Sequence, residues 1–293
     1  MTPPRGTPPA SQLQASRAAA VTGRFGSRSA ADAGGTRGVP TILCASGRGG
    51  SGTSLVAALL AMAAAGEGYR VLLVDADDFV GPLALLLNVA PRASWQDLRG
   101  GRVTPLETAT PVSTTLTLVA GGPSRTIDGL PLITLNERRA CMRRLSALTD
   151  GMDLVVIDAG ARIDVAIAAL TPHANERLLA VSAGSDPVGL ASTYALCKAV
   201  HARYDAIPTD ILVNRHEGSD AARCFDSIHA GARQFLGLSV RLAGAIPADP
   251  TLDAALRAGM PFPDAAAGSP AAVAAHDVVM RSLAGASLSR PGA

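Results

Sequence analysis

The sequence predicts an α/β protein of three layers, a mainly parallel β-sheet with helices on both faces, and three observations carry that prediction. Short apolar runs with little polar alternation recur through most of the chain, the pattern of strands buried on both faces. Helical segments alternate with those runs, which gives the strand, helix, strand succession of a parallel sheet. A glycine-rich turn, Cys44-Ala45-Ser46-Gly47-Arg48-Gly49-Gly50-Ser51-Gly52-Thr53-Ser54, then joins the first run to the first helix.

Strands are expected at 39–45, 70–75, 116–119, 154–158, 178–181, 210–214 and 242–246. Helices are expected at 54–65, 135–148, 165–170, 188–204, 220–235 and 250–257. A last helix starts near Ser269-Pro270, with the proline in its tolerated first turn, and runs to about 283. Ser94-Trp95-Gln96-Asp97-Leu98 reads as a capped helical turn in which the tryptophan packs. Tyr194, Leu196 and Val200 read as core.

At 293 residues the chain suits one α/β domain, placed at 39–285, with tails at 1–38 and 286–293. Residues 1–38 are rich in Pro, Ala, Ser, Gly and Arg without periodicity, a composition too poor in apolar surface to offset its ordering entropy. They are expected to form a disordered tail. The net charge of +2 gives no clear nucleic-acid surface. The longest apolar stretch, 55–65, falls short of the about 20 residues that span a bilayer. No signal-peptide core precedes it, and the four cysteines (Cys44, Cys141, Cys197, Cys224) form no C-x-x-C pair. A reducing cytoplasm is the expected location. The five histidines lack metal-ligand spacing.

The glycine turn is a phosphate-binding loop in its geometry. Gly47, Gly49, Gly50 and Gly52 allow successive backbone N–H groups to curl round phosphates, with Arg48 and Ser51 between them, and Ser54 supplies a hydroxyl for Mg²⁺. The position that should hold a lysine for the β/γ-phosphates holds Thr53. Asp75, Asp77 and Asp78 follow the second strand, where carboxylates beside a phosphate site orient Mg²⁺ or an attacking water. Asp78 also fits a solvated acidic turn. Leu154-Val155-Val156-Ile157-Asp158 has the Walker B form, with Asp158 available to Mg²⁺.

From about Val39 to Met260 these motifs resemble the MinD/ParA family of deviant Walker A proteins, and within it the FlhG branch that controls flagellar number and placement. Asp158-Ala159-Gly160-Ala161 is similar to the D-T-G-A-G of that branch, and Phe235-Leu236-Gly237-Leu238-Ser239 with Gly244-Ala245-Ile246-Pro247-Ala248-Asp249-Pro250 to its F-L-G-x-S and G-x-I-P-x-D-P. The resemblance implies ATP or ADP with Mg²⁺ as cofactor. It places Asn214 against the adenine, Pro247 beside the base, Asp77 on the catalytic water, and Arg48 in the role of the signature lysine that reaches in trans to a partner's nucleotide. Homodimers and an FlhF-like GTPase or other flagellar assembly protein are the implied partners. Ser11-Gln12-Leu13-Gln14-Ala15-Ser16-Arg17 keeps only Gln12 and Arg17 of the branch's partner-binding D-Q-A-x-x-L-R.

Three departures qualify the resemblance: Thr53 for the loop lysine, Arg48 for the signature lysine, and Arg162 for the glycine that ends D-T-G-A-G. A hydrogen bond to a charged group is worth about 1.5–3 kcal/mol, so the change at Thr53 weakens nucleotide binding roughly ten- to a hundredfold. Turnover is more exposed still, because the lysine also offsets charge in the transition state. The expected function is therefore a nucleotide-binding regulator acting through partners, with impaired hydrolysis. The alternatives are a slow ATPase dimer using Arg48 in trans, a TadZ/CpaE-like pilus scaffold, and a ParA-like partitioning protein. Arg281 is the only cation of the last helix, poor material for anionic lipid, so that helix is expected to pack on the domain.

Overall fold

The computed structural model describes residues 38–124, 132–170, 175–184, 186–204, 207–218 and 220–285. The Gln12–Arg17 segment, the tail up to residue 37 and the tail from 286 lie outside them.

The strands are β1 (Thr41–Ala45), β2 (Val71–Asp75), β3 (Ala109–Pro111), β4 (Leu116–Val119), β5 (Leu154–Asp158), β6 (Glu176–Ala183), β7 (Thr209–His216) and β8 (Arg241–Pro247). They form one sheet in the order β3-β4-β2-β5-β1-β6-β7-β8, parallel throughout except for the short antiparallel edge strand β3. Strand β3 is not among the strands expected from the sequence. Its three residues, one a proline that an edge strand tolerates, carry too little periodicity to be read.

Helices α1 (Thr53–Gly66), α2 (Pro82–Leu86), α3 (Pro105–Thr108), α4 (Leu135–Leu145), α5 (Ile163–Ala169), α6 (Pro187–His201), α7 (Asp220–Leu236), α8 (Pro250–Arg257), α9 (Phe262–Ala266) and α10 (Pro270–Gly285) connect or cover the strands. Successive residues of a strand face opposite sides, and the core divides accordingly. Ile42 and Cys44 pack with α1 and α10 on one face, while Leu43 and Ala45 pack with α5, α6 and α7 on the other. Leu72 and Val74 join α4 and Trp95 on that second face. The result is three layers, α/β/α. α1 is apolar nearly all round because it is enclosed between the sheet and α10. The last helix packs as expected, with Ala275, Val278, Val279 and Leu283 buried against that core.

Local chemistry sets the helix starts. Thr134 and Glu137 close a capping box on α4, Thr104 and Glu107 do the same for α3, and Asp249 caps α8 through the Leu252 N–H. The turn at Trp95 is a 3₁₀ helix, Trp95–Gly100, boxed by Ser94 and Asp97. The short helices α2, α3 and α9 span only four or five residues, less than periodicity resolves.

The strand order matters for function. β1 continues into the glycine turn, β5 lies beside it, and β2 lies beside β5. Carboxyl ends of parallel strands open onto the crevice where such sheets bind ligands. Here those ends place the glycine turn, Asp158 and Asp75 next to one another.

Candidate nucleotide-binding site

Asp158 is the register partner of Cys44 on one side and of Asp75 on the other, so the two aspartates stand side by side under the loop. Both are buried. Asp158 Oδ1 accepts the Gly160 N–H at 2.9 Å, while Oδ2 is buried without a hydrogen-bond partner among the described residues. Burial pushes the Asp158 carboxyl up to about 6, against the pull of the Ser54 hydroxyl and the Gly160 N–H, with the Asp77 charge adding to the rise. Burial, then the Asp158 charge, holds Asp75 well above the usual carboxylate range. The same two causes raise the buried Cys44 thiol.

Asp75 is fully enclosed. Its Oδ1 accepts the Asp77 N–H at 3.1 Å and its Oδ2 the Leu83 N–H at 2.9 Å, which folds the 76–83 segment back over the strand end. Trp95 Nε1 donates to the Asp75 carbonyl at 2.8 Å, so the buried tryptophan packs and braces the strand end. Asp77 accepts from the Phe79 and Val80 N–H groups at 2.7 and 3.2 Å. Asp78 is neither solvated nor free, since Arg138 Nη2 and Arg162 Nη1 both reach it at 2.6 Å. Arg162, the third departure from the family pattern, thus pairs with a carboxylate of the neighbouring loop, and also with Asp164 at 2.6 Å.

The glycine turn is held by the later half of the chain. A Cβ on Gly47 would stand 1.9 Å from the Ser192 carbonyl oxygen on α6, so only glycine fits there. Gly52 has φ +79°, caps α1, and its missing Cβ leaves room for the Asn214 amide. Asn214 Nδ2 donates to the Ser51 carbonyl at 2.8 Å. The Ser46 N–H and the Gly160 carbonyl join the turn to the segment after β5 at 2.9 Å. Arg48 Nη1 meets Asp186, the cap of α6, at 3.0 Å. Gly49 and Gly50 are exposed, Ser51 is buried with its hydroxyl on the Arg48 carbonyl, and Thr53 is buried at the first position of α1. Pro247 ends β8 beside His216, half-buried.

The residue types fit a Mg²⁺-nucleotide. A buried carboxylate oxygen without a partner stands near a hydroxyl, and a glycine cradle sits at a helix N-terminus, where backbone N–H groups and the dipole favour anions. Among the described residues no cluster of three His, Cys, Asp or Glu groups suits a metal held by protein alone. Sequence reasoning missed Asp186, Ser192 and Arg138, and the Gln96 amide that donates to the Asp78 carbonyl at 2.7 Å, the residues that hold the two loops. Asp186-Pro187 is a legible helix start, but its ion pair spans 138 positions.

Residues 42–262 match the model of the CobQ/CobB/MinD/ParA nucleotide-binding domain. The chain belongs to this family. Antiactivator FleN of Pseudomonas aeruginosa is 25% identical over 222 residues, 75% of this chain and 77% of its own. Among solved structures, the Pyrococcus furiosus cell division ATPase MinD superposes with a TM-score of 0.65 at 21% identity, over 85% of this chain and 99% of its own. The septum site-determining protein MinD of Pyrococcus horikoshii, solved with Mg-ADP, gives 0.63 at 18% identity, over 83% and 95%. As a CobQ/CobB/MinD/ParA domain, the chain sets its glycine turn, Asp158 and Asp75 at the carboxyl ends of three adjacent parallel strands.

Proposed function

We propose that this protein is an FlhG-like regulator of flagellar number and placement, a weak binder of Mg²⁺-ATP or Mg²⁺-ADP with impaired hydrolysis, acting in the cytoplasm through a partner such as an FlhF-like GTPase. One observation carries the reading: a phosphate loop whose backbone is held in place from α6 and β7, yet whose cation position is the buried, neutral Thr53. The similarity to FleN supports the flagellar part.

In this reading the N–H groups of residues 49–54 and the N-terminus of α1 bind the phosphates. Ser54 and Asp158 would hold Mg²⁺, which would supply charge neutralisation to the phosphates when bound. Asp75 would join them at the Mg²⁺ site, and by accepting the Asp77 and Leu83 N–H groups it keeps the 76–83 segment in position. Asp77 faces the water that would attack. Asn214 steadies the loop and Pro247 flanks the base. Without a lysine the loop lacks the group that meets charge developing on the γ-phosphate, so binding survives better than turnover.

Calorimetry with ATP and ADP in the presence of Mg²⁺, on the native chain and on Thr53→Lys, tests this. The lysine variant is expected to bind about ten- to a hundredfold more tightly. Native turnover at the rate of the variant, abolished in Asp77→Ala, contradicts the impairment. A slow ATPase dimer using Arg48 in trans is the second reading; it requires ATP-dependent dimerisation.

A further inference from the structure

Arg162 stands where the resemblance puts a glycine, and the fold sets it beside the candidate site. Two residues earlier, Gly160 is clamped between the two loops: its N–H goes to Asp158 Oδ1 and its carbonyl accepts the Ser46 N–H, each at 2.9 Å. Two residues reach at most roughly 7 Å, so Arg162 is anchored close to both the Asp158 carboxylate and the start of the glycine turn. Its guanidinium lies on Asp78 through Nη1 and on Asp164 through Nη2, each at 2.6 Å. The hydrogen bond to Asp164 raises the Arg162 pKa against the cost of burial, and the charges of Asp78, Asp164 and Asp77 add to the rise. Asp77 therefore lies within the field of this cation.

These contacts suit an exchange of partners. Arg162 is 46% exposed and Asp164 56%, and ion pairs so open to water hold weakly. Asp78 does not depend on Arg162, because the buried Arg138 binds its other oxygen at 2.6 Å and the Gln96 amide donates to its carbonyl. The acidic loop thus keeps its shape and its charge balance when Arg162 leaves.

We propose that Arg162 is the stand-in cation of this site, leaving Asp78 and Asp164 for the γ-phosphate of a bound nucleoside triphosphate and supplying there a charge that the neutral Thr53 does not. This inference rests on the reading of the turn as a nucleotide-phosphate site and names the residue that completes it. An arginine makes paired, charge-assisted hydrogen bonds to phosphate, stronger than the exposed pairs it gives up. The γ end is the one it meets, because Arg162 stands on the side of Asp77, whereas the inner phosphates fall to the backbone N–H groups of the turn. Such a contact favours triphosphate over diphosphate, so the chain tells ATP from ADP without a lysine in its loop.

Affinities for Mg²⁺-ATP and Mg²⁺-ADP are measured by calorimetry on the full native chain, on Arg162→Gln and on Arg162→Lys, and again with each change made in the Thr53→Lys background. Arg162→Gln is expected to weaken ATP by about five- to thirtyfold and ADP by less than about twofold, with Arg162→Lys recovering part of the loss. In the Thr53→Lys background the ATP loss is expected to shrink to about twofold, since the loop then carries its own cation. A residue that merely braced the acidic loop would weaken both nucleotides alike, and that result overturns the proposal. So does an unchanged ATP affinity, or a loss of the same size with Thr53→Lys present. Binding in Thr53→Lys but not in the native chain rejects the stand-in cation alone, whereas absence of binding in every protein, Thr53→Lys included, rejects the phosphate site as well.

Discussion

The two loops that follow β1 and β2 are held by opposite means. The glycine turn, 46–53, is positioned through backbone: a carbonyl against Gly47, an amide on the Ser51 carbonyl, a strand-end N–H on Gly160. The acidic loop, 75–83, is positioned largely through charge, with Asp78 pinned between Arg138 and Arg162 and Asp75 accepting two N–H groups at its base. The difference explains how the first loop can hold its shape with the neutral Thr53 at its end. A side chain that binds ligand but does not brace the loop can be replaced without disturbing the fold, whereas one that balances a buried charge cannot.

The largest expected effect follows directly. Arg138 and Asp78 are almost wholly buried, at 3% and 10% exposure, and two of the Arg138 nitrogens have no other partner among the described residues. Asp78→Ala leaves that guanidinium uncompensated and is expected to cost about 3–5 kcal/mol of stability in urea unfolding. Arg162→Ala removes the half-exposed partner instead and is expected to cost under about 1 kcal/mol. Equal losses in the two variants would show that the acidic loop is not organised by the buried pair.

A smaller effect concerns the floor between the loops. The Asp158 carboxyl is raised from its ordinary 3.8 to about 6, so between those pH values the folded protein binds more protons than the unfolded chain. Stability therefore falls as pH rises through that window, by about 1–3 kcal/mol in all, and is least above it. Asp158→Asn removes the titration and can still accept the Gly160 N–H. In metal-free buffer the variant is expected to melt higher than the native chain at pH 7.5 and to converge with it near pH 4. Parallel melting curves across that range would mean that the buried carboxylate carries no such strain.

How far the sequence disclosed all this depends on distance along the chain. The major strands, the first helix and the capped turn at Trp95 were legible, because periodicity, apolar runs and caps act within a few residues. So was the assembly of Asp75, Asp158 and the glycine turn, since the family resemblance places their strands together and the register does so here. The ligands of the ligands were not. Asp78 reads as a carboxylate for Mg²⁺ or water, or else as a solvated acid, until Arg138, 60 positions later, is seen on it, and nothing around Asp186 announces Arg48. Asn214 is the mixed case. Resemblance assigns it to the base, while its amide is spent on the Ser51 carbonyl.

That case yields the smallest and sharpest test. A buried neutral hydrogen bond contributes about 1 kcal/mol, and its loss leaves the Ser51 carbonyl unsatisfied. Asn214→Ala is thus expected to lower ligand-free stability by about that amount and to weaken pyrophosphate and ATP binding alike, by roughly fivefold, because the loop itself loosens. A residue that served only the adenine would leave ligand-free stability and pyrophosphate affinity untouched and weaken ATP alone. The two patterns separate in one set of melts and titrations, and they decide whether the later half of the chain grips the phosphate loop or merely reads what the loop holds.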